Sequence, residues 1–160
     1  MFFYKIWKLK EDLIIKEVEE KVYIFRFGNW VEKERVLFQQ PWSFNKALMV
    51  IREFDGKYTA DSIELSWCPF WVQIHGIPLG MMNENVARAI GSFIRQILVI
   101  DKGGDKVVWG HYLRVRILIN VMKPLKRGTK VKSSGGEQVL VAFKYERLPD
   151  ICFVCGRLDH

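Results

Sequence analysis

The side chains in this 160-residue sequence best suited to hold a transition metal are three cysteines and three histidines. Three of these six cluster at one end. Cys152 and Cys155 stand three positions apart, and His160 follows five positions after the second. A structural zinc ion takes four soft or borderline ligands in a tetrahedron, which a small loop delivers only if the ligands are closely and regularly spaced. Cys152, Cys155 and His160 fill the first three places of C-x2-C-x4-H-x4-C, with the fourth falling five positions beyond His160. Gly156, directly after the second thiol, allows the backbone to turn tightly under the ion, because glycine alone enters the left-handed region without steric cost. The alternatives are a chance cysteine pair or a redox Cys-x-x-Cys.

Residues between the ligands add a second chemistry. Phe153 places an aromatic ring between the two thiols, where it can stack on an unpaired base, and Arg157 sets a cation beside it. Together these make the composition of a CCHC zinc knuckle of the retroviral type. Asp159 departs from that pattern, which has glycine there; aspartate tolerates the left-handed backbone better than most residues, at some cost.

The charge leads to the same end of the chain. The net charge is +7, and residues 111 to 148 hold Arg114, Arg116, Lys123, Lys126, Arg127, Lys130, Lys132, Lys144 and Arg147 against only Glu137 and Glu146. That local excess equals the excess of the whole chain. Concentrated positive charge attracts polyanions through counterion release, and nucleic acid is the usual one. A solvated basic face without a partner is the plainer reading. Hydrophobic residues make up 49% of the sequence, enough for a packed core and against disorder. An odd cysteine count with one metal-like pair argues against a disulfide framework and for a reducing compartment, nucleus or cytoplasm. Lysines at 5, 8 and 10 interrupt the apolar start, so a secretory signal is not expected, nor is a membrane span.

Several elements must position these groups. Residues 1 to 10 read as the end of an amphipathic helix, and Leu13–Val18 and Lys21–Phe27 as a hairpin whose second strand puts Tyr23, Phe25 and Phe27 on one face. Asn29 caps a helix from Trp30 to about Gln40, with Val31, Arg35 and Phe38 at helical spacing, and Trp42–Ile51 follows as a strand. That order is the back part of a β-α-β-β-α-β sandwich of the ferredoxin-like, RNA-recognition-motif (RRM) kind, with its first strand lacking. Tyr23 and Phe25 have the phase of base-stacking aromatics in such motifs, or serve in core packing. A polar connector precedes a second unit: a strand at Phe70–Gly76, a helix capped by Asn83 with Val86, Ala89, Ile90, Phe93 and Ile97 as its buried stripe, a short strand at Leu98–Asp101, a turn at Gly103 and Gly104, and two alternating strands at Tyr112–Val121 and Gln138–Tyr145. Between the last two runs a basic loop, Lys123–Lys132, without an acid. Tyr112, Arg114 and Arg116 share the outward face of their strand, rimmed by that loop and by Lys144, an arrangement suited to phosphate contacts with some stacking.

The expected class is therefore α+β: an incomplete RRM-like unit (1–52), a connector (53–69), a second small α+β unit with a basic hairpin (70–149) and a partial CCHC knuckle (150–160), truncated at both ends. The landmarks Phe38-Gln39-Gln40-Pro41-Trp42, Phe70-Trp71-Val72-Gln73-Ile74-His75-Gly76-Ile77-Pro78, Leu113-Arg114-Val115-Arg116, Lys123-Pro124-Leu125-Lys126-Arg127-Gly128 and Lys144-Tyr145-Glu146-Arg147-Leu148-Pro149 run in order up to the knuckle. In them the chain resembles a plant domain of unknown function that precedes a CCHC zinc knuckle in proteins related to LINE-type retrotransposons and their reverse-transcriptase polyproteins. The resemblance implies a non-catalytic binding module for RNA or single-stranded DNA, with zinc held by Cys152, Cys155 and His160. Self-association or a decayed element are the alternatives. Neither Cys68 nor any histidine forms a nucleophile–base pair, and the paired glycines lack the lysine and helix of a phosphate loop, so no enzyme and no small-molecule substrate are expected.

Overall fold

A computed structural model describes residues 2–102, 111–150 and 158. The turn expected at Gly103 and Gly104 lies outside these residues, as do Cys152, Phe153, Cys155, Arg157 and His160. The chain divides into two compact units, Met1–Gln40 with Ile51–Leu65, and Pro41–Val50 with Ser66–His160. Both are α+β.

The first unit begins with helix α1 (Phe2–Trp7) and the antiparallel strands β1 (Leu13–Glu19) and β2 (Val22–Phe27), followed by helix α2 (Trp30–Phe38). Helix, hairpin, helix is an order in accord with an RRM-like arrangement. Trp7, 1% exposed, is the centre of an aromatic cluster, its ring 4.8 Å from Phe3, 5.3 Å from Phe25 and 5.6 Å from Phe27. Phe25 is thus committed to packing, while Tyr23 stays half exposed. Asn29 caps α2 as expected, its Oδ1 accepting from the Val31 amide at 2.8 Å.

The buried face of α2 differs from the expected one. Glu32 and Val36 are buried, whereas Val31 and Phe38 are exposed. Hydrogen bonding accounts for this: the Glu32 carboxylate accepts from the Lys10 amide at 2.7 Å, and the Arg35 guanidinium donates to the carbonyls of Trp7 and Lys8. A helix that satisfies open backbone groups in a neighbouring segment turns polar residues inward, because unpaired buried polar groups cost more than exposed methyl groups.

The second unit contains a small hairpin, β3 (Trp42–Phe44) with β4 (Ala47–Met49), where the sequence suggested one long strand. Asn45 and Lys46 both take positive φ, 49° and 65°, the conformation of the two-residue turns whose twist matches paired strands. The main sheet has five antiparallel strands: β5 (Trp67–His75), β6 (Gln96–Ile100), β7 (Tyr112–Asn120), β8 (Gly128–Lys132) and β9 (Gln138–Tyr145), in the order β6-β7-β5-β9-β8. Helix α3 (Glu84–Ile94) contacts β6 and β7. Alternation sends Cys68, Phe70, Val72 and Ile74 of β5, Leu113, Val115, Ile117 and Ile119 of β7, and Val141 and Phe143 of β9 into one core with α3.

Two further expectations shift. The buried stripe of α3 is Ala87, Ile90, Gly91 and Ile94, with Phe93 half exposed. Gly91 sets that phase: a Cβ there would meet Ile97 at 3.0 Å and Val115 at 3.3 Å, so the helix lies close to the sheet along its smallest residues. Half of the supposed basic loop is strand β8, paired with β9 from Gly128↔Ala142 to Lys132↔Gln138.

Candidate nucleic-acid interface

The face of the sheet opposite the core is built from the other phase of the same strands. Register aligns Tyr112, His75, Ala142 and Gly128 in one cross-strand row, with Arg114, Gln73 and Lys144 in the next. Electrostatically the face has two halves.

In the β7–β5 half the charges are already matched. Arg114 grips Glu146 with two nitrogens, at 2.7 and 2.9 Å, and reaches Asp101 at 3.1 Å. Its guanidinium carbon lies 3.9 Å from the centre of the Trp71 ring, a cation–π contact. Hydrogen bonding to Glu146 raises the pKa of Arg114, and the same bond, opposed by burial and helped by Gln73, holds the Glu146 carboxyl below its ordinary value. Gln73 continues the network, donating to Glu146 at 3.1 Å and meeting His75 Nε2 at 2.9 Å. The His75 and Tyr112 rings sit 4.8 Å apart, and burial, Lys144 and His111 together push the His75 pKa down.

The expected open pair of guanidiniums on β7 is therefore not open. Arg114 is engaged by two carboxylates. Arg116 is 3% exposed, and burial lowers its pKa. Strand alternation put both on the correct face; their partners come from β5, from the end of β6 and from Glu146, all distant in sequence.

The β9–β8 half is different. Lys130, Lys132 and Lys144 are exposed and make no hydrogen bond or ion pair with any described residue. Neither Gly128–Lys132 nor Gln138–Tyr145 contains an acid. Leu140, paired with Lys130 in the row next to that of Ala142, is 70% exposed.

The remaining basic residues lie elsewhere. Lys126 donates to the Phe93 carbonyl at 2.6 Å and sits 4.1 Å from the Phe93 ring, so it belongs to the C-terminal end of α3. A cation there complements the helix dipole and an open carbonyl. Lys123 and Arg127 are exposed in the segment leading to β8. His75, Trp71, Gln73 and Glu146 complete the face without having been singled out from the sequence. The polar phase of β5 could have pointed to the first three, whereas nothing local marks Glu146 as the partner of Arg114.

Of the cysteines, Cys68 is fully buried, and burial pushes its thiol up to about 12, so it is a protonated core side chain at neutral pH. Among the described residues no three Cys, His, Asp or Glu side chains come together as a metal site. The donor set of Cys152, Cys155 and His160, two thiolates and an imidazole, fits zinc by its chemistry. Leu158, between the second thiol and the histidine, packs against the core of the second unit, as does Leu148.

Comparison with known proteins bears on both ends of the chain. Over 128 residues, which take in 78% of this chain and 39% of the relative, it is 33% identical to the uncharacterized protein At4g02000 of Arabidopsis thaliana. The chain thus spans well under half the length of that plant relative. No solved structure matches it. Residues 2–61 match the model of a domain of unknown function (DUF4283), and residues 119–160 match that of a zinc knuckle. The second match takes in β8 and β9 together with all three zinc-type ligands. In chain order, then, the molecule carries a DUF4283 segment followed by a CCHC zinc knuckle, neither of them a known catalytic domain, and the knuckle suggests nucleic-acid binding in a general sense.

Proposed function

We propose that this chain is a non-catalytic nucleic-acid-binding module of retrotransposon origin that takes RNA or single-stranded DNA in the nucleus or cytoplasm. The observation that carries this reading is a coincidence of position: the basic excess of the sequence falls within residues 111–148, overlapping the zinc-knuckle match at 119–160. Cys152, Cys155 and His160 would hold zinc, which when bound supplies a rigid cross-link for a loop too short to have its own core. Phe153 offers a stacking surface between the two thiols, and Arg157 a cation. Tyr112 and the exposed Lys123, Arg127, Lys130, Lys132 and Lys144, which precede the knuckle in the sequence, would supply the further stacking and charge, whereas Arg114, Arg116 and Lys126 are engaged within the fold. Single strands are favoured over duplex because an aromatic ring recognises a base only where that base is unstacked.

Filter binding of the purified chain to labelled RNA and single-stranded DNA at low ionic strength tests the reading. Affinity is expected to fall linearly with salt on a double-logarithmic plot, and to weaken on chelation of zinc. Absent or salt-insensitive binding refutes it. Self-association is a second reading, supported by Trp30 and Val31 at the start of α2, which are 73% and 55% exposed. Sedimentation showing a concentration-dependent oligomer, with no nucleic-acid binding, would favour it.

A further inference from the structure

We propose that the open face of the five-stranded sheet, from the β9–β8 edge across to the His75–Tyr112 pair at the near end of β5 and β7, is a track for single-stranded nucleic acid, with Lys130, Lys132 and Lys144 on phosphates and the aromatic pair under a base. This deepens the nucleic-acid reading above and rests on it.

Three observations select this track. The first is free charge. Arg114 is matched by Glu146 and Asp101, and Arg116 is buried, so neither can give up its surroundings to a phosphate without leaving carboxylates or a ring unpaired. Lys130, Lys132 and Lys144 are exposed and make no hydrogen bond or ion pair with a described residue, Lys144 meeting only the repulsion of His75, so a phosphate there displaces water and counterions. The second is shape. In the row Tyr112, His75, Ala142, Gly128, two aromatic rings are followed by a methyl group and a bare backbone. Strands about 4.8 Å apart make that row on the order of 14 Å long, with a low floor at the lysine end. A Cβ at Gly128 would meet the Val141 carbonyl oxygen at 2.5 Å, so the floor stays bare.

The third is spacing. Lys130 and Lys132 project from one face of one strand, two residues and therefore about 7 Å apart. Lys144 lies on the other side of the row, beside Gln73. An extended polyanion crossing the row can meet cations on both sides while a base turns onto the His75 and Tyr112 rings, which are 4.8 Å apart and half exposed. Lysine on an edge strand also discourages edge-to-edge aggregation. That role would account for Lys130 and Lys132 but not for the aromatic pair, two and three strands away.

The test is fluorescence anisotropy of the full chain with a labelled 20-nucleotide oligo(dT), and with inorganic polyphosphate of similar length, across a potassium chloride series. Replacing all three lysines (K130Q/K132Q/K144Q) is expected to lower the slope of log affinity against log salt by about 2, since each single-strand phosphate contact contributes about 0.7. The triple arginine variant is expected to retain the parent slope, and matched thermal unfolding shows that each variant is folded. Tyr112→Ala is expected to weaken oligo(dT) binding on the order of tenfold and to leave polyphosphate binding unchanged. If the glutamine variant keeps the parent affinity and slope, the track is overturned while the nucleic-acid reading stands. If Tyr112→Ala weakens both probes equally, or neither, the stacking is overturned and an anionic protein segment becomes the better occupant. If the parent binds neither probe, both readings fall.

Discussion

Arg114 makes three hydrogen bonds to the carboxylates of Glu146 and Asp101 on the open sheet face, and its surroundings make a charge argument that depends on pH. Its partner Glu146 has a carboxyl held below the ordinary value of 4.5, first by the Arg114 hydrogen bond. A carboxylate with a depressed folded-state pKa stabilises the native protein above its unfolded value, and that contribution is lost as pH falls through the folded value. The parent is therefore expected to lose thermal stability on acidification below about pH 4.5. Glu146→Gln should lower the melting temperature at neutral pH and flatten the acid-side fall, as measured by circular dichroism melts across a pH series. An equal acid-side fall in both proteins would show that the pair is electrostatically idle. The sequence placed Arg114 on the right face by simple alternation, but Glu146 lies 32 positions away and no periodicity links the two.

At the scale of elements, packing distances decided what hydrophobicity alone left ambiguous. In α3 several apolar residues could have formed the buried stripe, and Gly91 settled the phase because the sheet approaches it within contact of a missing Cβ. Substituting this glycine separates two effects of similar size. Gly91→Ala gains about 1 kcal/mol of helix propensity, which the tight contact with Ile97 offsets. Gly91→Leu overfills the interface and is expected to cost about 1–3 kcal/mol. Urea unfolding of the two variants measures the difference, and a leucine variant as stable as the parent would contradict the close approach. For β3 and β4, Asn45 and Lys46 carried a turn signal that the apolar run Ala47–Ile51 masked in the sequence. The basic segment misled in the opposite way: Gly128–Lys132 looks like a loop by charge, yet Thr129 and Val131 alternate with its lysines and pair across to Val141 and Val139.

For the molecule as a whole, Leu158, which lies between Cys155 and His160 in the sequence, packs against the core of the second unit, so zinc held by the proposed ligands would be coupled to the sheet. A metal that binds only the native chain stabilises it by mass action, about 2.7 kcal/mol at roughly a hundredfold excess over the dissociation constant. Zinc is accordingly expected to raise the melting temperature of the chain, and chelation to reverse the rise. Leu158→Ala should reduce the rise while leaving zinc stoichiometry unchanged. Differential scanning fluorimetry with metal analysis tests this, and equal shifts in parent and variant would uncouple the knuckle from the sheet.

What the sequence by itself determined was local or additive. The C-x2-C-x4-H spacing, the helix caps at Asn29 and Asn83, the alternation of the long strands and the placement of the whole charge excess each depend on near neighbours or on simple counting. Only the tertiary structure decided which charges are free. Arg114 and Lys144 look alike in the sequence, yet β5 sets Arg114 beside Glu146, Asp101 and Trp71 while Lys144 faces solvent. Pairing between distant strands assigns each cation its neighbours, and a cation already bound to a carboxylate has little left to offer a phosphate.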